Sequence, residues 1–205
     1  MYIPSFNKFD NEQEAIGFMQ RYSFATIVIS VNDVPVATHL PFLVEQRDEK
    51  IVLSSHFAKA NPQAAQIVGK SVLVIFTERH AYISPSNYEK ETNVPTWNYL
   101  AVHAYGKAAL LAEGQKTADL LAHTISTFEA DYLKQWNGLP DDYKQKMMKG
   151  IVAFEIVVDD LQAKKKLSQN RSAHEQENII DTLSKSKETT ENEIAKYMAN
   201  MKPTP

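Results

Sequence analysis

Thr96-Trp97-Asn98-Tyr99-Leu100-Ala101-Val102-His103-Ala104-Tyr105-Gly106, continuing to Glu113, is the stretch that decides the fold. Trp97, Tyr99, Ala101, His103 and Tyr105 fall on one face of an extended chain, and Leu100, Val102 and Ala104 fall on the other. An ordinary strand has about 5–6 residues, so an alternation this long predicts a strand that wraps around a core. Gly106 marks a place for a bend or bulge. Upstream, residues 24–31, 34–45, 50–56 and 71–77 are β-branched and aromatic runs separated by turn residues at Asn32-Asp33 and 46–49, the pattern of a hairpin meander. Residues 80–84 predict a further short strand, and 85–95, proline at both ends, a loop. Downstream, Ala118, Leu121, Ile125, Phe128 and Tyr132 keep helical spacing, 140–149 reads as another helix closed by Gly150, and 151–158 is a last strand.

Helix signals frame this meander. Asp10 is a candidate N-cap with Gln13 three residues on, ahead of an apolar face of Ala15, Ile16, Met19 and Tyr22. Asn61, Pro62 and Gly69 have the cap, first-turn and stop positions of a short helix between the third and fourth strands. Ser172-Ala173-His174-Glu175 and Thr190-Glu191-Asn192-Glu193 both read as capping boxes, opening apolar faces at Ile179, Ile180 and Leu183 and at Ile194, Tyr197 and Met198. Residues 201–205 are expected to fray. Six or seven antiparallel strands interrupted by helices predict an α+β barrel rather than a doubly wound sheet.

Composition narrows the chemistry. The chain has no cysteine, which excludes disulfides, zinc–thiolate and iron–sulfur sites and a thiol nucleophile. Its six glycines leave no glycine-rich phosphate cradle, and Walker, dinucleotide-binding, zinc-protease and serine-hydrolase motifs are all absent. Six histidines lie scattered singly, with no metal-ligand spacing; His39 and His123 read as structural. A hydrophobic share of 43% and a charged share of 23% are those of a globular protein. Residues 1–10 lack the basic start and apolar run of a signal peptide, and no run approaches the length of a membrane span, so a cytoplasmic location is expected.

Three stretches carry more specific chemistry. Ser54-Ser55-His56-Phe57-Ala58-Lys59-Ala60-Asn61-Pro62 runs from a hydroxyl-rich strand into a cation and a capped helix start. Hydroxyl donors, an ammonium and free helix N–H groups together suit a phosphate monoester; a plain strand-to-helix corner with a solvated lysine fits the same residues. Val94-Pro95-Thr96-Trp97-Asn98-Tyr99 places aromatics for stacking on a flat heterocycle, with the Asn98 amide for its polar edge, or else forms part of an aromatic core. Lys164-Lys165-Lys166-Leu167-Ser168-Gln169-Asn170-Arg171 is basic and amide-rich, suited to nucleic acid or a bound anion, or else to a solvated connector.

These stretches, with His39-Leu40-Pro41-Phe42, His80-Ala81-Tyr82-Ile83-Ser84-Pro85-Ser86, Val102-His103-Ala104-Tyr105-Gly106 and Gly150-Ile151-Val152, occur in an order that closely resembles the FMN-binding negative transcriptional regulators, the PaiB-like family linked to repression of protease synthesis and sporulation. The resemblance runs from Met1 to about Leu183. It implies an antiparallel split β-barrel of the pyridoxamine-phosphate-oxidase and flavin-reductase type over residues 1–171, with residues 172–205 as a helical extension. It implies a homodimer with FMN between subunits. Ser54, Ser55, His56, Lys59 and Asn61 would then face the ribityl phosphate, and Trp97, Asn98, Lys166, Ser168 and Gln169 the ring or the partner's cofactor. One position departs: many relatives carry an aromatic residue where Lys165 stands.

Two functions follow from the resemblance. One is a flavin-binding regulator acting on transcription directly or through a partner. The other is an FMN-dependent oxidoreductase, of the flavin-reductase or pyridoxamine-phosphate-oxidase type, whose regulatory effect is indirect. A haem-binding split barrel rests on histidine content alone. The formal charge of -3 and the lack of a helix-turn-helix pattern give direct DNA binding no support beyond the resemblance. Binding to naked DNA is therefore expected to be weak and salt-sensitive or absent. Fluorescence anisotropy with labelled duplexes tests this, and nanomolar sequence-specific binding at physiological salt would contradict it.

Overall fold

The computed structural model describes residues 1–112 and 114–201. Its strands are β1 (Phe24–Val31), β2 (Val34–Pro41), β3 (Leu43–Arg47), β4 (Lys50–Ala58), β5 (Ser71–Ile83), β6 (Thr96–Leu110) and β7 (Ile151–Lys166). Its helices are α1 (Glu12–Arg21), α2 (Pro62–Gln66), α3 (Gly114–Phe128), α4 (Tyr132–Gly138), α5 (Asp141–Met148), α6 (Ala173–Ser184) and α7 (Thr189–Ala199). By packing, Met1–Ala15, Thr77–Val102 and the chain from Gln162 onward form one compact unit; Ile16–Phe76 and His103–Leu161 form a second. The sequence reading divides the chain at residue 171, whereas packing groups α6 and α7 with Thr77–Val102. Among the described residues no helix is long and apolar enough to cross a membrane.

The second unit closes a barrel. The seven strands lie in the order β2-β1-β5-β6-β7-β4-β3, which makes β2 and β3 the two edges of the sheet. Only Phe42 separates them in sequence, so one residue joins the two edges. That is why the run 34–45, expected as a single strand, is two: the chain leaves one edge at Pro41 and enters the other at Leu43. Proline suits an edge, where its missing N–H breaks no ladder. The Phe42 N–H donates to the Ser23 carbonyl at 2.9 Å, and the Ser55 hydroxyl donates to the Pro41 carbonyl at 2.7 Å. The Phe42 ring, 1% exposed, meets Phe76 at 6.0 Å and Phe154 at 6.2 Å, and Phe57 stacks on Phe154 at 4.9 Å. Ile27, Leu53, Val74 and Ile156 fill the interior around these rings.

Turn chemistry sets the meander. Asn32 and Asp33 take φ of 50° and 64°, the left-handed pair of a type I′ hairpin. Asp48 and Glu49 do the same at 48° and 62°; Glu49 is the costlier choice, since only Asn, Asp and Gly visit this region readily. β5 is one strand of thirteen residues and absorbs the separate strand expected at 80–84. Gly106 serves a close approach: a Cβ there would lie 2.3 Å from the Val157 carbonyl oxygen on β7. The outer face carries α3, which buries Thr117 and Leu120 rather than the expected stripe, with Leu120 clustering against Leu43 and Ala153. The Thr117 hydroxyl donates to the Leu111 carbonyl at 3.1 Å, so a polar residue enters the buried face with its bond satisfied. Phe128, expected on that face, is 53% exposed.

In the first unit the cap of α1 is Asn11 rather than Asp10: its side-chain oxygen accepts from the Glu14 N–H at 2.9 Å, and the Glu14 carboxylate accepts from the Asp10 N–H at 2.9 Å. Ser172 caps α6 as expected, accepting from the Glu175 N–H at 3.2 Å. The Glu175 carboxylate does not complete the box; it accepts from the Glu89 N–H at 3.1 Å. The box expected at Thr190 is absent, because α7 starts two residues earlier, behind Glu188, which makes no side-chain cap. Ile179, Leu183, Ile194 and Met198 are buried as expected. Of the segment expected to fray, only Met201 lies among the described residues.

If Phe42 closes the barrel, Phe42→Ala should cost about 3–5 kcal/mol. Phe24→Ala, at a ring 64% exposed, should change stability by about 0.5 kcal/mol or less. Urea unfolding of both variants measures the difference.

Candidate functional site

The phosphate corner expected from the sequence lies in the second unit, where β4 ends and α2 begins. β4 buries Ser54 and Ser55, half-buries His56 and leaves Ala58 and Lys59 exposed. Ser55 is spent on the Pro41 carbonyl, and Ser54 lies 3.3 Å from a Glu155 carboxylate oxygen and 3.4 Å from the Arg47 guanidinium. The Lys59 N–H donates to the Gly150 carbonyl at 2.8 Å, which ties the end of β4 to the start of β7. Its ammonium is exposed and makes no ion pair among the described residues. Asn61 caps α2 as expected: its side-chain oxygen accepts from the Gln63 N–H at 2.9 Å, and its amide donates to the Thr38 hydroxyl at 3.1 Å. Gln63 is fully buried and bonds Thr38, Ile27 and Val36, so it fastens this short helix to β1 and β2. Burial pushes the His56 imidazole below its ordinary value, because the charged ring would lose hydration.

The remaining expected residues lie in the first unit. Trp97 is 51% exposed, with His80 and Tyr82 each 5.7 Å from it. This aromatic cluster is uncovered, not core. Lys166 donates to the Trp97 carbonyl at 2.9 Å and to the Thr96 hydroxyl, which fixes its ammonium at the start of β6. Its ammonium is held below the usual lysine range, first by burial and then by the like charge of Lys164. Asn98 points away from this face and is fully buried; its side-chain oxygen accepts from Ser168 at 3.1 Å and its amide meets the Met198 sulfur at 3.5 Å. Ser168 holds a left-handed φ of 61°. Gln169 folds onto its own turn, accepting from the Leu167 N–H at 2.7 Å and donating to the Lys165 carbonyl.

Residues 164–166 are not the solvated connector that a lysine run suggests. They end β7, and Lys164 and Lys165 are 8% and 6% exposed. Lys165, the position of the departure, pairs with Asp10 at 3.0 Å and Glu14 at 3.0 Å. Lys164 lies over the Tyr99 ring at 5.2 Å and the Tyr2 ring at 5.8 Å. The sequence reading held Lys164 only as part of a basic stretch and gave His80 and Tyr82 no role; the signal was a spacing of two, which sets side chains on one face of a strand. Arg171 closes the same basic stretch. It lies 3.7 Å over the Tyr88 ring and donates to Asn93 at 2.9 Å, holding the loop ahead of β6. His39, expected to be structural, is exposed and stacks 6.4 Å from Phe24; His123, likewise expected to be structural, is exposed 3.5 Å from Glu45.

Residues 1–160 match the family described as "Putative FMN-binding domain". The chain belongs to this family. Among relatives of this FMN-binding-domain protein, Protease synthase and sporulation protein PAI 2 of Bacillus subtilis (strain 168) is 42% identical over 204 residues, covering 98% of this chain and 96% of the relative. A protein of Emericella nidulans is 30% identical over 183 residues, covering 70% of this chain and 73% of its own. Among solved structures, the FAD and heme binding protein from Mycobacterium smegmatis superposes with a TM-score of 0.62 at 16% identity, over 78% of this chain and 73% of that one. The flavocytochrome Anf3 from Azotobacter vinelandii gives 0.59 at 12% identity, over 80% and 72%. At such identities the likeness is one of fold, and the fold is the expected α+β antiparallel split barrel.

Two histidines give this family member a pH signature. Burial lowers both His56 and His103 below their ordinary value in the folded chain. The unfolded chain takes up protons near pH ~6.5 while the folded one resists, so their contribution is full above that pH and is lost as pH falls through the lower folded values. Urea midpoints should therefore drop from pH 7 to pH 5.5, and His56→Asn should make that drop shallower.

Proposed function

We propose that this chain binds FMN as a homodimer and restrains transcription of protease- and sporulation-type genes, directly or through a partner. The observation that carries the reading is the uncovered aromatic face, with Trp97 half exposed against His80 and Tyr82 and Lys166 bonded to the Trp97 carbonyl. A flat ring stacks on such a plane, and a bare aromatic face of this kind is covered most simply by isologous pairing. The second unit, taken by itself, carries a corner with the chemistry of a phosphate site. A phosphate monoester carries nearly two negative charges at pH 7, and Lys59 offers an exposed ammonium at the corner that Ser54, Ser55, His56 and Asn61 build. Asn98, Ser168 and Gln169 support the ring side by holding the strand and turn behind Trp97 and Lys166. Residues 1–171 form the flavin-binding barrel in this reading, residues 172–205 an extension, and the protein works in the cytoplasm. The 42% identity to a relative named for protease synthesis and sporulation favours the regulatory reading over an oxidoreductase.

The freshly purified protein should show the visible bands of oxidised flavin and sediment at twice the chain mass; a colourless monomer that takes up no FMN would refute the reading. Rapid reduction of the bound flavin by a nicotinamide donor would move it to the oxidoreductase. Lys59→Ala should lose a charge-assisted bond to the phosphate, about 1.5–3 kcal/mol or roughly tenfold to a hundredfold in FMN affinity. Riboflavin, which lacks the phosphate, should lose far less in a paired titration by flavin fluorescence quenching. Equal losses would remove Lys59 from the phosphate.

A further inference from the structure

β7 ends in three consecutive lysines whose charges are treated in two different ways. Lys165 points to one face and is neutralised by two carboxylates, Asp10 and Glu14. Lys164 and Lys166, two apart, share the opposite face. Neither makes an ion pair with a carboxylate among the described residues. Lys164 is 8% exposed, and its ammonium lies over the rings of Tyr99 and Tyr2. Lys166 is held by the Trp97 carbonyl and the Thr96 hydroxyl, both uncharged. The two lysines lie close enough for Lys164 to push down the ammonium of Lys166. Aromatic faces offset part of the cost of a buried ammonium, but two like charges side by side without a counter-ion remain unfavourable. The face they share also carries Trp97 and Tyr99, with Tyr82 and His80 against the indole.

An uncompensated cation pair beside an aromatic plane suits a flat ring that bears a negative charge. We propose that Lys164 and Lys166 form a paired cation site that holds the ring of FMN more tightly in its anionic reduced form than in its neutral oxidised form, and so raises the reduction potential of the bound flavin. This rests on the FMN reading given above. When an external hydride or electron donor supplies two electrons and the ring takes up one proton, the ring is left with a single negative charge. The lysines transfer nothing; they supply positive potential where that charge develops.

The test is the two-electron midpoint potential of FMN bound to the full-length protein, measured by spectroelectrochemistry. Wild type, Lys164→Met and Lys166→Met are compared, with Lys165→Met as control; methionine keeps most of the side-chain length and removes the charge. Each of the first two substitutions should lower the preference for reduced over oxidised ring about tenfold, which is about 30 mV for a two-electron couple. Lys165→Met should leave the potential in place, because its charge is neutralised on the other face. Because Lys164 is buried, Lys166→Met keeps the question open should Lys164→Met fail to fold. Bound flavin whose potential moves in neither variant, or moves equally in the control, overturns this proposal and leaves FMN binding intact. Failure of the wild type to bind FMN overturns both.

Discussion

The single-residue link at Phe42 is the constraint on which the second unit depends. A seven-stranded sheet whose two edge strands are consecutive in sequence must bring those edges together, and one residue gives no slack for them to part. Phe42 turns this covalent necessity into packing, since the residue at the seam also places its ring among Phe76 and Phe154. The Ser55 hydroxyl then fastens β4 to the end of β2. With β4 held there, its last residues emerge at the surface beside the start of β7, and the exposed Lys59 follows from where the strand has to stop.

The first unit depends on parity instead. β6 and β7 are long, and along them odd and even positions do different work. On the first unit's part of β6, Asn98, Leu100 and Val102 are buried, while Trp97 is exposed and Tyr99 half-buried; Ala101, small and buried, breaks the rule. On β7 the same rule separates Lys165, neutralised by two carboxylates, from Lys164 and Lys166, which pair with no carboxylate among the described residues. Asn98 and Ser168 make the difference concrete: both were expected to meet a ligand, and both spend their polar groups on each other. Fixing the strand beneath an aromatic face is a different task from touching what lies on that face.

Much of the fold was legible because its signals are local. Left-handed Asn32-Asp33, the Asn61–Pro62–Gly69 helix and the alternation of 96–105 each rest on the geometry of a few neighbouring residues. The errors arise where distant contacts decide. Nothing in 34–45 announces that its two halves belong to opposite edges of a sheet. The Thr117 face of α3 is set by where Leu43 and Ala153 lie. The caps at Asn11 and Glu188 were each misplaced, by one residue and by two, because neighbouring polar residues offer equally plausible caps. For the candidate site, residue types were readable and directions were not. A lysine run looks solvated until its carboxylates, aromatic rings and strand are placed around it, and Lys164 to Lys166 became informative only when that was done.

The exposed indole of Trp97 has a practical consequence. The chain has two tryptophans, and Trp136 on α4 is half-buried, whereas Trp97 stands at the candidate ring site against His80 and Tyr82. A protein with so few emitters reports on its own cofactor: energy transfer from an indole to a stacked ring would darken intrinsic emission, and release of the ring would restore it. With Trp136 replaced by phenylalanine, Trp97 is the sole tryptophan, and its emission, excited apart from that of the nine tyrosines, would follow any ring that stacks on that face.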